Sequence, residues 1–208
     1  MEIQAFITSP FVENCYVVED AGEVIVIDPG EATAELIDAL EGRNVTKVVN
    51  THAHIDHVGG NADIVEKFGC ELLIHADCVE MLENVASQGQ MFGMQISPSP
   101  KPTSLFDEGD TVQVGNESLG VFNCPGHAPG HVGLLGDGFV FGGDVLFSGS
   151  IGRTDLPGGS LEVLMTSIRE KFMPLPDETI VYSGHGPATT IGQERKSNPF
   201  ILQYLGAQ

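Results

Sequence analysis

Six of the seven histidines and two aspartates fall in four short segments of this 208-residue chain. The densest is His52-Ala53-His54-Ile55-Asp56-His57. The others hold His127 and His131, Gly142-Gly143-Asp144, and Gly184-His185-Gly186. Imidazole nitrogens and carboxylate oxygens are the donors that zinc, iron and manganese choose at neutral pH. One tetrahedral ion cannot use so many donors, so the pattern points to a two-metal centre, and paired divalent ions do hydrolysis. His52 and His54, two apart on extended chain, project the same way and can share an ion. Asp56 and His57 come after the chain turns and can face a second one.

The elements that must position these groups are short. Val45 to Asn50 reads as a buried strand before the first cluster. A helix follows it, with Ala62, Ile64, Val65 and Phe68 on its apolar side and Gly69 as its stop. The donors thus lie on a strand-to-helix loop, where a rigid scaffold displays functional groups. Pro129 and Gly130 oppose a continuous helix between His127 and His131, so the two are not expected to bind one ion together. His75, ending Leu72-Leu73-Ile74, reads as a satisfied strand-end residue.

The segments Thr51 to Asn61, Pro125 to His131 and Phe141 to Phe147 resemble the metallo-β-lactamase superfamily. Within it, the chain is similar to glyoxalase II, the hydroxyacylglutathione hydrolases. Ser150 to Gly159 resembles their short, single-domain relatives in particular. The resemblance implies a four-layer αββα sandwich and a thioester such as S-D-lactoylglutathione as substrate, attacked by a hydroxide shared between two metals. It assigns His52, His54 and His127 to one divalent ion and Asp56, His57 and His185 to the other, with Asp144 bridging. Asp56 and Asp144 are thereby placed at the reacting centre. Zinc is the first expectation for both ions, with iron or manganese as alternatives. His131 is left as either a structural residue or a hydrogen-bond partner that orients a ligand. Arg153 stands where those enzymes carry a basic residue, and its planar fork suits a substrate carboxylate. A structural pairing with Asp155 or Asp177 is the competing reading. Asp155 and Pro187 stand where longer glyoxalase II enzymes have tyrosines.

His185 lies 23 residues before the last residue, so a single domain over 1–208 is expected, without the C-terminal helical domain that helps longer glyoxalase II enzymes hold glutathione. A formal net charge of −20, with only nine Lys and Arg, argues against nucleic acid. No apolar stretch is long enough to span a bilayer. Four scattered cysteines, with no C-x-x-C pair, suit a reducing cytoplasm.

A metallohydrolase of another ester or lactone is an alternative within the same chemistry, and two other classes compete. Persulfide dioxygenases carry a Gly-Arg-Thr-Asp segment like residues 152–155, but they use one iron held by two His and one Asp. They usually have Cys at the position of His131 and lack the Gly184-His185-Gly186 form. A binding domain on a decayed site is opposed by the unbroken donor set.

Strands are expected at Glu2 to Ser9, Asn14 to Glu19, Glu23 to Asp28, Glu71 to Ile74, Thr111 to Val114, Ser118 to Asn123, Val132 to Leu135, Phe139 to Phe141 and Thr179 to Tyr182. Helices are expected near Thr33 to Leu40, Ala76 to Val85, Ser160 to Phe172 and Gln193 to Leu205. Gln88 to Pro102, rich in Met, Pro, Ser and Gly, reads as a long loop that is either a lid over the site or a plain surface connection.

Overall fold

The structure is a computed structural model that describes residues 1–204 and 206. Two six-stranded sheets face each other. The first runs β1 (Glu2–Thr8), β2 (Glu13–Asp20), β3 (Glu23–Ile27), β4 (Asn44–Val49), β5 (Glu71–His75) and β6 (Ser104–Phe106) in that order. Its hairpins are antiparallel up to β3, and β3 to β6 are parallel. The second sheet contains β7 (Thr111–Val114), β8 (Glu117–Asn123), β9 (Val132–Gly136) and β10 (Phe139–Gly143). A small hairpin of β11 (Leu146–Phe147) and β12 (Ser150–Ile151) follows, and β13 (Ile180–Ser183) and β14 (Thr189–Thr190) then complete that sheet in the order β14-β13-β10-β9-β8-β7.

Period-two alternation builds three cores from these strands. Val17, Val24, Val26 and Val48 face outward, against α1 (Ala34–Leu40), α2 (Ile55–Val58), α3 (Asn61–Phe68), α4 (Val79–Glu83) and α5 (Val85–Met91). Their neighbours Val18, Ile25, Ile27 and Val49 face inward and meet Val112, Leu119, Leu134 and Phe141 of the second sheet. The far face of that sheet buries Val140 and Val181 with Leu164, Ile168, Ile191 and Ile201 from α6 (Leu161–Ser167), the π-helical turn Ile168–Phe172, α7 (Ile191–Ser197) and α8 (Pro199–Tyr204). Because β3 is buried on both faces, it reads as the unbroken run Val24-Ile25-Val26-Ile27. The outcome is the αββα sandwich.

Several boundaries differ from the sequence reading. Gln88 to Met91 belong to helix α5, so the expected loop begins only at Phe92. The helix expected over Ala76 to Val85 is a 3-10 turn at Ala76–Cys78 followed by α4. The C-terminal helix is broken at Asn198, held at ψ 118 because Pro199 follows it; Leu205 lies outside the described residues. Ser160 caps α6 by accepting from the Val163 N–H. Among the described residues, no helix is long and apolar enough to cross a membrane.

Candidate metal centre

Loops at one edge of the sandwich bring the clusters together. His52 lies in the bend that follows β4, and His54, at φ −70 and ψ 147, is the extended residue from which α2 starts. Asp56 and His57 lie on that helix, with the His57 ring 4.1 Å from that of His52. The result is two groups of donors. Those of His52, His54 and His127 lie within 4.8 Å of one another, and so do those of Asp56, His57 and His185. Asp144 stands between them. Its Oδ2 is 3.5 Å from His127 Nε2 and 3.6 Å from His185 Nε2, and its Oδ1 is 3.4 Å from His57 Nε2. All seven donors named from the sequence therefore meet at one place.

Each ring's outer nitrogen shows what the inner one is for. His127 Nδ1 donates to the Arg153 carbonyl at 2.9 Å, and His185 Nδ1 to the Val12 carbonyl at 3.3 Å. His57 Nδ1 donates to Asp28 Oδ2 at 3.0 Å. Thr51 Oγ1 donates to the same Asp28 oxygen at 2.6 Å, which leaves that hydroxyl to accept from His52 Nδ1 at 3.0 Å. Carbonyls and carboxylates only accept, so these tautomers follow from the partners. In the neutral ring each leaves a bare Nε2 lone pair. His52 Nε2, His57 Nε2 and Asp144 Oδ1 are buried without any hydrogen-bond partner. His54 Nδ1 lies 2.8 Å from His127 Nε2, the nitrogen that the Arg153 carbonyl leaves as an acceptor. Buried acceptors without donors are costly, and a cation satisfies them. The donor set fits divalent metal ions.

Electrostatics agree at His52 and His54 and differ at His57, where the surrounding carboxylates favour a second proton on the ring. Burial pushes His52 well down and His54 to about 4, so both rings are neutral, the form that binds metal. Burial would depress His57 too, but Asp144, Asp28 and Asp56 outweigh it and hold that ring well above the usual range. Burial would raise Asp144, yet His57, His127 and His185 keep it ionised well below the usual carboxylate range.

The loop that carries His185 is pinned from β2. Asn14 Nδ2 donates to the Ser183 and Gly186 carbonyls at 2.9 and 2.8 Å, and the Tyr16 hydroxyl donates to Ser183 O at 2.7 Å. Gly184 is obligatory there, because a Cβ would stand 2.2 Å from Asp144 Oδ1. His131 joins neither donor group. Its Nε2 accepts from the Asp144 N–H at 3.0 Å, and its ring stacks on His52 at 4.6 Å. His75 accepts from the Asp77 N–H and pairs with Asp107. The guanidinium of Arg153 is exposed and makes a two-point contact with Asp155, not with Asp177, which pairs with Arg195.

Sequence reasoning missed Asp28 and Glu13. Asp28, read only as part of a turn, takes φ +51 and collects the Thr51 N–H, the Thr51 hydroxyl and His57. A non-glycine residue in the left-handed region is a signal of a special site, but it is visible only in the fold. Asp28, His52 and His57 also lie close enough to hold an ion. The carboxylate of Asp28 is already committed to hydrogen bonds, so it positions the other two. Glu13 is fully buried beside His57, bonded to the Thr8 hydroxyl, and burial raises it well above the usual carboxylate range.

A cavity of about 570 Å³ opens onto the centre, lined by His54, Asp56, His127, Asp144 and His185 on its floor.

A family model described as the Metallo-beta-lactamase superfamily matches residues 8–185. The chain is 38% identical to hydroxyacylglutathione hydrolase GloC of Haemophilus influenzae, over 97% of this chain and 98% of that protein. Among solved structures, it is similar to the BLEG-1 B3 metallo-beta-lactamase, with a TM-score of 0.90 and 36% identity over 96% of this chain and 99% of that one. It is similar also to TTHA1623 in a di-iron-bound form, with a TM-score of 0.87 and 35% identity over 95% and 99%.

Proposed function

The chain belongs to the metallo-beta-lactamase superfamily, and on that premise we propose that it is a binuclear metallohydrolase that cleaves a thioester such as S-D-lactoylglutathione. One observation carries the reading: the Asp144 carboxylate lies within 3.6 Å of histidines from both donor groups. Relatives that are named as a hydroxyacylglutathione hydrolase and as a di-iron protein support it.

His52, His54 and His127 would hold one ion, Asp56, His57 and His185 the other, and Asp144 both. Two bound divalent ions supply Lewis acidity, which ionises water near neutral pH and polarises a carbonyl. The rest is the work of the chain. Asp28, Thr51 and the Arg153 and Val12 carbonyls fix the ring tautomers, so that the donors are aimed before a ligand arrives. Every histidine and carboxylate on the cavity floor is then committed, which leaves no free general acid. A thiolate departs without one, whereas an alkoxide or amine needs a proton, and this favours thioesters. Arg153, at the cavity rim, would meet a substrate carboxylate by exchanging its contact with Asp155. With nine Lys and Arg against 29 Asp and Glu, the chain offers nucleic acid no basic surface. Its four buried, unpaired cysteines suit a reducing cytoplasm.

The test is steady-state hydrolysis of S-D-lactoylglutathione by metal-loaded and chelator-treated protein. Turnover that depends on metal is expected. No cleavage of any thioester by fully loaded protein contradicts the reading.

A further inference from the structure

The cavity floor is polar, but its walls are not. Phe11, Met81, Met91, Phe92, Phe147 and Leu156 line it. Met91 is 83% exposed and Phe92 57%, although both are large and apolar. Adjacent exposed side chains of this kind mark a binding surface more often than an accident. They are also held in place. Gly89 lets α5 lie on α2, where a Cβ would stand 3.3 Å from Ile55 Cδ1 and 3.0 Å from Ile96 Cγ1. Gln88 Nε2 donates to the Ala53 carbonyl at 3.2 Å, which ties α5 to the segment that carries four of the candidate ligands. The Phe92 ring then meets Phe11 edge-on at 5.2 Å, and so joins α5 to the β1–β2 turn across the cavity mouth.

The charges at the mouth point the same way. Among the described residues, Arg153 is the one lysine or arginine lining the cavity, and both its Nε and its Nη2 are on Asp155, each at 2.7 Å. A glutathione moiety would bring two carboxylates and an ammonium group to apolar walls and a single guanidinium already paired.

We infer that the substrate of this site carries an uncharged, apolar arm that lies against the Phe11–Phe92 wall, and that apolar thioesters are turned over better than the glutathione thioester. The inference rests on the hydrolase reading above and adds the class of substrate to it.

Two series of thioesters test it on the metal-loaded full chain. In one, the acyl group of an N-acetylcysteamine thioester grows from acetyl to octanoyl. In the other, the thiol of an acetyl thioester grows from methanethiol to octanethiol. Uncleavable S-methyl and S-octyl thioethers of N-acetylcysteamine, followed by calorimetry, report binding without turnover. The expected result is a rise in kcat/KM of roughly fourfold per methylene in one series, since the buried area sets the gain. The best substrate should exceed S-D-lactoylglutathione, and the octyl thioether should bind more tightly than the methyl one. Phe92→Ala, at a position exposed enough to leave folding intact, should flatten both dependences. Thioester turnover that ignores chain length in both series, with equal binding of the two thioethers, overturns the inference and leaves the hydrolase standing. Selective binding of the octyl thioether without cleavage of any thioester supports the apolar wall and overturns the hydrolase. Neither binding nor cleavage overturns both.

Discussion

His131 Nε2 accepts a hydrogen bond from the backbone N–H of Asp144 at 3.0 Å, while its Nδ1 faces Cys124 Sγ at 3.4 Å. The ring is fully buried and stacks on His52. It therefore holds the carboxylate shared by the two donor groups through the main chain, without offering a nitrogen to either group. Gly143, at φ +47, makes room for this, because a Cβ there would meet the His131 ring at 2.7 Å.

The two histidines of the 125–131 segment should accordingly behave differently. His127→Ala removes one of three donors from the first group and should abolish most activity and that ion's binding. His131→Ala should weaken metal binding by about 10- to 100-fold, the usual effect of losing an orienting partner. His131→Gln, whose side-chain oxygen can accept the Asp144 N–H, should recover part of the loss. Metal titration of the three variants checks this, and the reverse ranking would show that His131 is the ligand.

Asp28 makes a second case. Asp28→Ala leaves His57 Nδ1 and the Thr51 hydroxyl without their acceptor in a buried place, which should cost about 1–3 kcal/mol in stability. It should also loosen an ion at Asp56, His57 and His185 more than one at His52, His54 and His127. Denaturant unfolding of metal-free protein and stepwise metal titration read the two effects separately. Equal loosening of both ions would mean that Asp28 acts on the loop as a whole.

The residues that gather at the centre were legible in the sequence because metal chemistry favours few residue types at close spacing. The layers were legible because β3 reads as an apolar run and α6 as an amphipathic helix capped by Ser160. What was not legible depends on contacts between distant segments. Asp28 lies 23 residues before Thr51 and 29 before His57, and only the fold brings them together. Gln88 to Met91 looked like loop because the segment to Pro102 is rich in Met, Pro, Ser and Gly, whereas the seat of α5 against Ile55 of α2 is a tertiary contact. Whether Arg153 would meet Asp155 or Asp177 was open, because both carboxylates were in reach on paper.

Arg153 and Asp155 allow a test by gain of binding. Arg153→Ala should raise KM for a thioester that bears a carboxylate and change little for a neutral one, since binding made equally in ground and transition state appears in KM. Asp155→Ala frees the fork and should lower KM for the glutathione thioester. The pair is exposed, so the gain should be small, within about fivefold. No difference between charged and neutral substrates in either variant would leave Arg153 with only its carbonyl's hold on His127.

The cysteines report on the fold itself. Burial pushes the Cys78 thiol up to about 12 and raises Cys15 and Cys124 well above the usual range. A raised thiol stays protonated, hence unreactive, until pH approaches its shifted value. At pH 8, native protein should react slowly with a disulfide reagent. Cys70, 8% exposed, should react first, and all four should react after denaturation. Fast labelling of Cys15 or Cys124 in native protein would contradict the packing described.

The central claim is that one centre holds two ions, and metal content measures it directly. Protein purified without added metal, stripped, and reloaded with zinc, iron or manganese should take up two ions per chain by elemental analysis. Asp144→Ala should bind both more weakly. Retention of a single tightly bound iron, with no second equivalent at any concentration and an unchanged first site in Asp144→Ala, would contradict the account and favour one-iron oxygen chemistry.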